Sequence, residues 1–147
     1  VWIRRFVGML LMGGALAMAP MRSGPTVPEV NWQPYRPAAL AQATQDGRPV
    51  LIDIYADWCL PCVELDQVTF RHPVVVERLA AFVTLRVDAT LDVPPEAQEL
   101  VEQYDVYGVP TILVFDATGR ERSELRINGF IPPAELLEIL DRLAPSS

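Results

Sequence analysis

Cys59 and Cys62 are the only cysteines of the chain, three positions apart in Trp58-Cys59-Leu60-Pro61-Cys62. At a strand-to-helix junction that spacing lets two sulfurs meet as a small disulfide or stand open as a dithiol. The first thiol sits at a helix N-terminus, where unpaired amides and the macrodipole favour a thiolate. The second lies one turn deeper and can attack a mixed disulfide formed on the first. Cys59 is therefore expected to be exposed and Cys62 shielded. Pro61 fits the first turn, where an N–H has no helical partner to lose. Redox chemistry is the reading this pattern favours, with two others open beside it. A structural bridge is possible, although so small a ring stabilises little. Half of a zinc site is possible too, but zinc needs two more ligands. The chain offers one histidine, His72, and carboxylates for that purpose.

Two other positions bear on the same chemistry. Gly108-Val109-Pro110-Thr111 stands directly before an apolar run. A proline at the start of a strand is ordinary, since the first residue need not donate to the ladder. The functional reading is a cis proline set against the cysteine pair, with the Val109 backbone open to an extended substrate. Asp53 is an acid inside Val50-Leu51-Ile52-Asp53-Ile54-Tyr55-Ala56. Burial there raises a carboxyl's pKa and costs several kcal/mol unless the group is satisfied. It is either a strand-end acid reaching water or a proton acceptor beneath the cysteines. Asp66 follows Cys62 by four residues and shares its helix face. Asp57 and Glu64 add negative charge nearby, and the chain has no Lys to offset it. These acids are expected to raise the proton affinity of the Cys59 thiol against the helix effect.

The elements that must hold these residues follow from periodicity. Ala38 to Thr44 reads as a short helix ended by Asp46-Gly47. The continuous apolar run at 50–56 is a central strand covered on both faces. Cys59 to about Phe70 reads as a helix, His72-Pro73 breaks it, and Val74 to Ala81 is another. Phe82 to Val87 is a second strand. Pro94-Pro95-Glu96 opens a third helix with Ala97, Leu100, Val101 and Tyr104 on one face. Ile112 to Phe115 is a third strand, Asp116 to Gly119 a hairpin turn, and Leu125 to Ile127 the strand after it. Pro132-Pro133 opens a last helix with Leu136, Leu140 and Leu143 on one face. Alternating strands and helices closed by a hairpin and a helix make an α/β fold with a mixed sheet.

Composition narrows the function classes. The chain has 147 residues, half of them apolar, which suits one globular domain. All twelve basic residues are Arg, against nineteen acids, for a net charge of -7. Nucleic-acid binding needs a basic surface and is not expected. Neither a lysine Schiff base nor a P-loop lysine is available. A single histidine excludes a multi-histidine metal site within one chain. Arg4-Arg5 followed by the uncharged run Phe6 to Ala19 has the form of a secretory signal or a retained membrane anchor. Residues 20–37 carry five prolines and read as a semi-extended linker, with Trp32 and Tyr35 packing on the domain edge. The division expected is 1–19 targeting segment, 20–37 linker and 38–147 domain. His72 reads as a surface turn residue, and Glu96, Glu99 and Glu102 as a solvated helix face.

Asp53, Trp58-Cys59-x-Pro61-Cys62 and Val109-Pro110-Thr111, taken in that order, resemble the thioredoxin superfamily. Tyr55-Ala56-Asp57-Trp58-Cys59, Thr69-Phe70, Pro73-Val74, Gly108 to Thr111 and Asn128-Gly129-Phe130 resemble more closely the C-terminal periplasmic domain of the DsbD-type thiol:disulfide interchange proteins. That resemblance covers about residues 36–143. It implies a thioredoxin fold, Cys59 as nucleophile, Cys62 as resolving thiol, Asp53 and Asp66 as nearby acids, and Pro110 in cis. Trp58, Pro61, Val109 and Pro110 would meet the substrate. No metal or organic cofactor is implied beyond the Cys59–Cys62 disulfide. Expected partners are protein disulfide substrates and an upstream dithiol donor in the membrane. The multi-span and N-terminal domains of those proteins are not in this sequence, and Leu60-Pro61 is closer to ordinary thioredoxin. The expected function is an extracytoplasmic thiol:disulfide oxidoreductase, soluble or tethered, working as a reductase. A protein for apocytochrome c reduction in haem attachment and a non-enzymatic binding module with a static bridge stand as alternatives.

Overall fold

The computed structural model describes residues 28–143. The targeting segment read at 1–19 and the start of the linker lie outside the described residues.

A five-stranded mixed sheet runs in the order β1-β3-β2-β4-β5. β2 (Val50–Tyr55) lies in its centre, parallel to β3 (Val83–Asp88) and antiparallel to β4 (Thr111–Phe115). Both faces of β2 are covered, which accounts for its unbroken apolarity. The period of two sends Val50, Ile52 and Ile54 to one face, where Leu85, Val87, Leu113 and Phe115 join them. α1 (Pro37–Gln45) and α4 (Pro95–Gln103) close that face through Ala43, Ala97 and Leu100. Leu51, Ile112 and Val114 point the other way. There α3 (Pro73–Leu79) and α5 (Pro133–Asp141) cover them with Val75, Leu79, Leu136 and Leu140. Asp53 shares the face of Leu51 by the same alternation, and so stands under the helices rather than in water.

Three elements differ from the sequence reading, each for a local reason. The helix expected from Cys59 to Phe70 is α2 (Leu60–Glu64) followed by a π turn, Leu65–Thr69. The Phe70 N–H donates to the Leu65 carbonyl, five residues back, at 2.8 Å. Buried Thr69 is then free to donate its hydroxyl to the Ile131 carbonyl at 2.6 Å. The strand expected at 125–127 begins later, as β5 (Ile127–Asn128), because Ser123–Leu125 is a 3-10 turn that drops Leu125 into the core. The third difference lies in the segment read as linker. Gln33–Pro34 is β1, an edge strand parallel to β3. Its edge position suits a proline, which has no N–H for the ladder. The Tyr35 N–H donates to the Arg86 carbonyl at 2.8 Å, and the Tyr35 ring is buried in the core. Trp32 packs edge-on against Phe70, ring centroids 5.0 Å apart.

Candidate redox-active site

Cys59 and Cys62 are joined by a disulfide, their Cα atoms 5.2 Å apart. β2 ends at Tyr55, and the chain turns through Ala56-Asp57-Trp58 into α2 with Cys59 as its N-cap. The Cys59 sulfur accepts the Cys62 backbone N–H at 3.3 Å. Leu60 and Pro61 form the first turn and are exposed. The expectation of an open Cys59 over a shielded Cys62 does not hold for this bridged state. The two residues are 4% and 3% exposed, packed with Ala56 and roofed by Tyr55 and Val109.

Val109-Pro110 is a cis peptide, as the resemblance implied. The loop is held from both sides. Thr111 donates its hydroxyl to the Gly108 carbonyl at 2.7 Å, and the Gly129 N–H reaches the Pro110 carbonyl at 3.0 Å. Tyr107, Gly108, Val109, Pro110, Arg126 and Asn128 line an open groove beside it. Trp58 is 69% exposed and Leu60 77%, so an apolar rim faces solvent next to the bridge.

The turn carrying Trp58 is fixed by residues that spacing did not single out. The Trp58 indole N–H donates to the Thr90 carbonyl at 2.9 Å, and the Asp57 N–H to the Thr90 hydroxyl at 3.0 Å. Thr90 in turn donates its N–H to an Asp88 oxygen at 2.9 Å and its hydroxyl to the same oxygen. Those bonds hold the Asp88 carboxyl below the usual range. A Thr two residues after an Asp at a strand end is the kind of local turn a closer reading would have found.

Asp53 is 1% exposed, which excludes the strand-end acid in contact with water. Burial pushes its carboxyl up to about 6, while the Arg86 guanidinium beside it pulls the other way. Arg86 Nε donates to Asp53 Oδ2 at 3.0 Å and its Nη2 reaches the same oxygen at 2.9 Å. That Nη2 also pairs with Asp66 Oδ1. Asp53 Oδ1 is buried with no hydrogen-bond partner among the described residues. The structure thus brings Asp53 and Asp66 together, as expected, but around a cation. The chain has no Lys to offset the acids, as read, but Arg86 pairs with both Asp53 and Asp66. Its guanidinium lies over the rings of Trp32 at 4.4 Å and Tyr55 at 4.6 Å. The signal was present but faint. Arg86 is the one cation in β3, just as Asp53 is the one acid in β2, the strand beside it.

His72 precedes α3 as its N-cap and is half-buried, with a buried Nδ1 that makes no bond among the described residues. Glu96, Glu99 and Glu102 are exposed on α4, as read.

Comparison with known proteins agrees with this geometry. A family profile described as thioredoxin-like matches residues 31–117. The thiol:disulfide interchange protein DsbD of Klebsiella pneumoniae is 46% identical over 96 residues, 65% of this chain and 16% of that protein. The chain thus spans less than a fifth of the length of that relative. The reduced DsbD C-terminal domain of Neisseria meningitidis superposes with a TM-score of 0.62 at 28% identity, covering 72% of this chain and 91% of that domain. A thioredoxin from Thermus thermophilus superposes at 0.64 with 32% identity, over 78% of this chain and 86% of the other. With the bridged cysteine pair, the cis proline and the buried acid in a sheet of this order, the chain belongs to the thioredoxin-like family.

Proposed function

We propose that this chain is a protein-disulfide reductase working outside the cytoplasm, with Cys59 as nucleophile and Cys62 as resolving thiol. As a thiol:disulfide oxidoreductase it exchanges two electrons between its cysteine pair and a partner. The observation that carries this is the bridged Cys59–Cys62 pair packed against the cis Val109–Pro110 loop. In the reduced state the Cys59 thiolate attacks one sulfur of a substrate disulfide and the other sulfur leaves as a thiolate. The Cys62 N–H at the Cys59 sulfur is placed to hold that negative charge. Cys62 then loses its proton and attacks the Cys59 sulfur. The second substrate thiolate leaves, and the Cys59–Cys62 disulfide remains. Asp53, whose buried Oδ1 has no hydrogen-bond partner among the described residues, is the acceptor for the Cys62 proton. Trp58, Pro61, Val109 and Pro110 form the surface that meets the substrate.

Arg86 offsets Asp53 and Asp66, so reduction is favoured over oxidation in this reading by the remaining acids close in sequence to the pair, Asp57 and Glu64, which oppose stabilising the reduced thiolate. A dithiol protein must then re-reduce the bridge, and a membrane donor is the partner the DsbD relatives suggest. The extracytoplasmic address rests on Arg4-Arg5 and the apolar run Phe6 to Ala19. Among the described residues no helix is long and apolar enough to cross a membrane. No metal or organic cofactor enters this scheme.

The burial of both cysteines favours a second reading, a binding module with a static bridge. One trapping experiment separates the two. With Cys62→Ser, substrate proteins accumulate as mixed disulfides through Cys59 and are recovered from the extracytoplasmic fraction; with Cys59→Ser they do not. Adducts through Cys62 would reverse the roles, recovery from the cytosol would move the address, and no adducts would leave the static module.

A further inference from the structure

We propose that Tyr107 and Asp105 form a side-chain subsite in the groove beside the cis proline, one that takes an arginine or lysine of the substrate close in sequence to the attacked cysteine. The inference deepens the reading of the chain as a reductase of protein disulfides and rests on it.

The loop between α4 and β4 builds one wall of the groove. α4 ends at Gln103, and the Asp105 N–H still reaches back to the Glu102 carbonyl at 3.3 Å. Asp105 then turns the chain with a φ of +49°, in the left-handed region. Glycine is the usual residue just past a helix end of this kind, because it has no Cβ to crowd the following carbonyl. An aspartate costs backbone energy there and brings a carboxylate to the groove. Asp105 is exposed, and its side chain has one hydrogen-bond partner among the described residues, the Tyr107 hydroxyl, which donates at 3.2 Å. Tyr107 is 91% exposed. So bare a ring contributes little to the core, and the bond to Asp105 holds its tip at the groove wall.

Charge decides what such a wall holds. Asp105 and Arg126 are the charged residues that line the groove. Arg126 is already engaged within the protein. Its Nε and Nη2 lie on Glu121 Oε1, both at 2.9 Å, and its Nη1 donates to the Tyr104 carbonyl at 2.8 Å. The Asp105 charge is left uncompensated. The groove therefore offers one carboxylate beside one exposed aromatic ring. A guanidinium or an ammonium suits both, through the ring's quadrupole and through an ion pair. An acidic side chain would be repelled. The net charge of -7 on the whole chain acts in the same sense at longer range.

The subsite lies within reach of a substrate held at the bridge. Val109 packs on the cysteine pair and also lines the groove. β4 starts only at Thr111, and the Val109 N–H and carbonyl make no hydrogen bond among the described residues. An extended segment lying along that backbone turns successive side chains alternately toward the protein and toward solvent. A cation at one particular position near the substrate cysteine, and not at its immediate neighbours, then falls into the groove. Tyr107 and Asp105 touch neither sulfur. They select and hold the substrate while Cys59 attacks and Cys62 resolves.

The test uses the full reduced chain and short alanine peptides with a central cysteine held as a mixed disulfide with thionitrobenzoate. Arginine, or its uncharged analogue citrulline, is placed in turn at each of the three positions on either side of the cysteine. Cys59 attacks the peptide sulfur, the bond to the aromatic sulfur breaks, and thionitrobenzoate leaves as a coloured thiolate. Cys62 then attacks the Cys59 sulfur, and the peptide leaves as a thiolate. The second-order rate constant of colour release should favour arginine over citrulline by about fivefold at one position. Tyr107→Ala and Asp105→Asn should each lower that ratio to about twofold, and Tyr107→Phe, which keeps the ring, should hold most of it. A preference that Tyr107→Ala and Asp105→Asn leave unmoved, at one position or at all, overturns the subsite and assigns the effect to the net charge of the chain. Equal rates for arginine and citrulline at every position overturn it too, with the redox reading intact. Should no peptide release thionitrobenzoate, those with citrulline included, the redox reading itself falls and the subsite with it.

Discussion

At the residue scale, Asp53 is destabilising in its charged form and retained. Its carboxyl is raised from 3.8 to about 6, chiefly by burial. The folded state therefore binds this proton more tightly than the unfolded chain does. Between those two values the unfolding free energy falls as pH rises. Asp53→Asn should accordingly be more stable than wild type at pH 8, by about 1–3 kcal/mol on a shift of this size. The advantage should shrink toward zero near pH 4, where Asp53 is protonated in both states. Urea denaturation at the two pH values measures it, and an advantage independent of pH would show that burial of the charge is not its source. An acid that weakens its own fold is expected where chemistry needs it.

At the element scale, the turn between β4 and its return strand shows how local rules and long-range packing combine. Gly119 has a φ of +81°, and an added Cβ would run into the Thr44 side chain. Gly47, after α1, has a φ of +62° but open space around it. Gly47→Ala should cost about 1 kcal/mol, the backbone penalty alone. Gly119→Ala should cost about 2–3 kcal/mol, because Thr44 must also shift and its bond to the Leu40 carbonyl is strained. Equal losses in a denaturant titration would mean that α1 yields freely at this contact. The turn itself was readable from Asp116-Ala117-Thr118-Gly119, where Asp116 accepts the Thr118 and Arg120 N–H groups. That Gly119 presses on α1 was not, since 75 residues separate it from Thr44. The π turn was hidden for a similar reason. Its apolar spacing fits an α-helix, and only the pull of Ile131 on Thr69 shows what the wider turn accomplishes.

At the scale of the whole molecule, the domain begins before its first helix. β1, the buried Tyr35 and the stacked Trp32 all precede Pro37. A chain beginning at residue 38 should be less stable than one beginning at residue 28 by about 2–4 kcal/mol, for two aromatic rings taken out of the packing. Thermal and urea unfolding of the two chains tests this, and equal midpoints would return residues 28–37 to a linker. The composition of that stretch pointed the other way. Five prolines between 20 and 37 read as linker, yet an edge strand of two residues tolerates proline and needs little pattern of its own. What the sequence by itself determined is what depends on near neighbours: the thiol pair at a helix start, the covered central strand, the turn residues and the apolar helix faces. Its motif order also carried the family and, with it, the cis proline. Tertiary structure alone decided which charges meet. A period of two says that Asp53 and Arg86 each turn to a definite face, but not that β2 and β3 lie side by side in the register that sets one opposite the other. Pairing across 33 residues of chain is settled by how the whole sheet packs, and through that pairing the acid inside β2 and the cation inside β3 became partners.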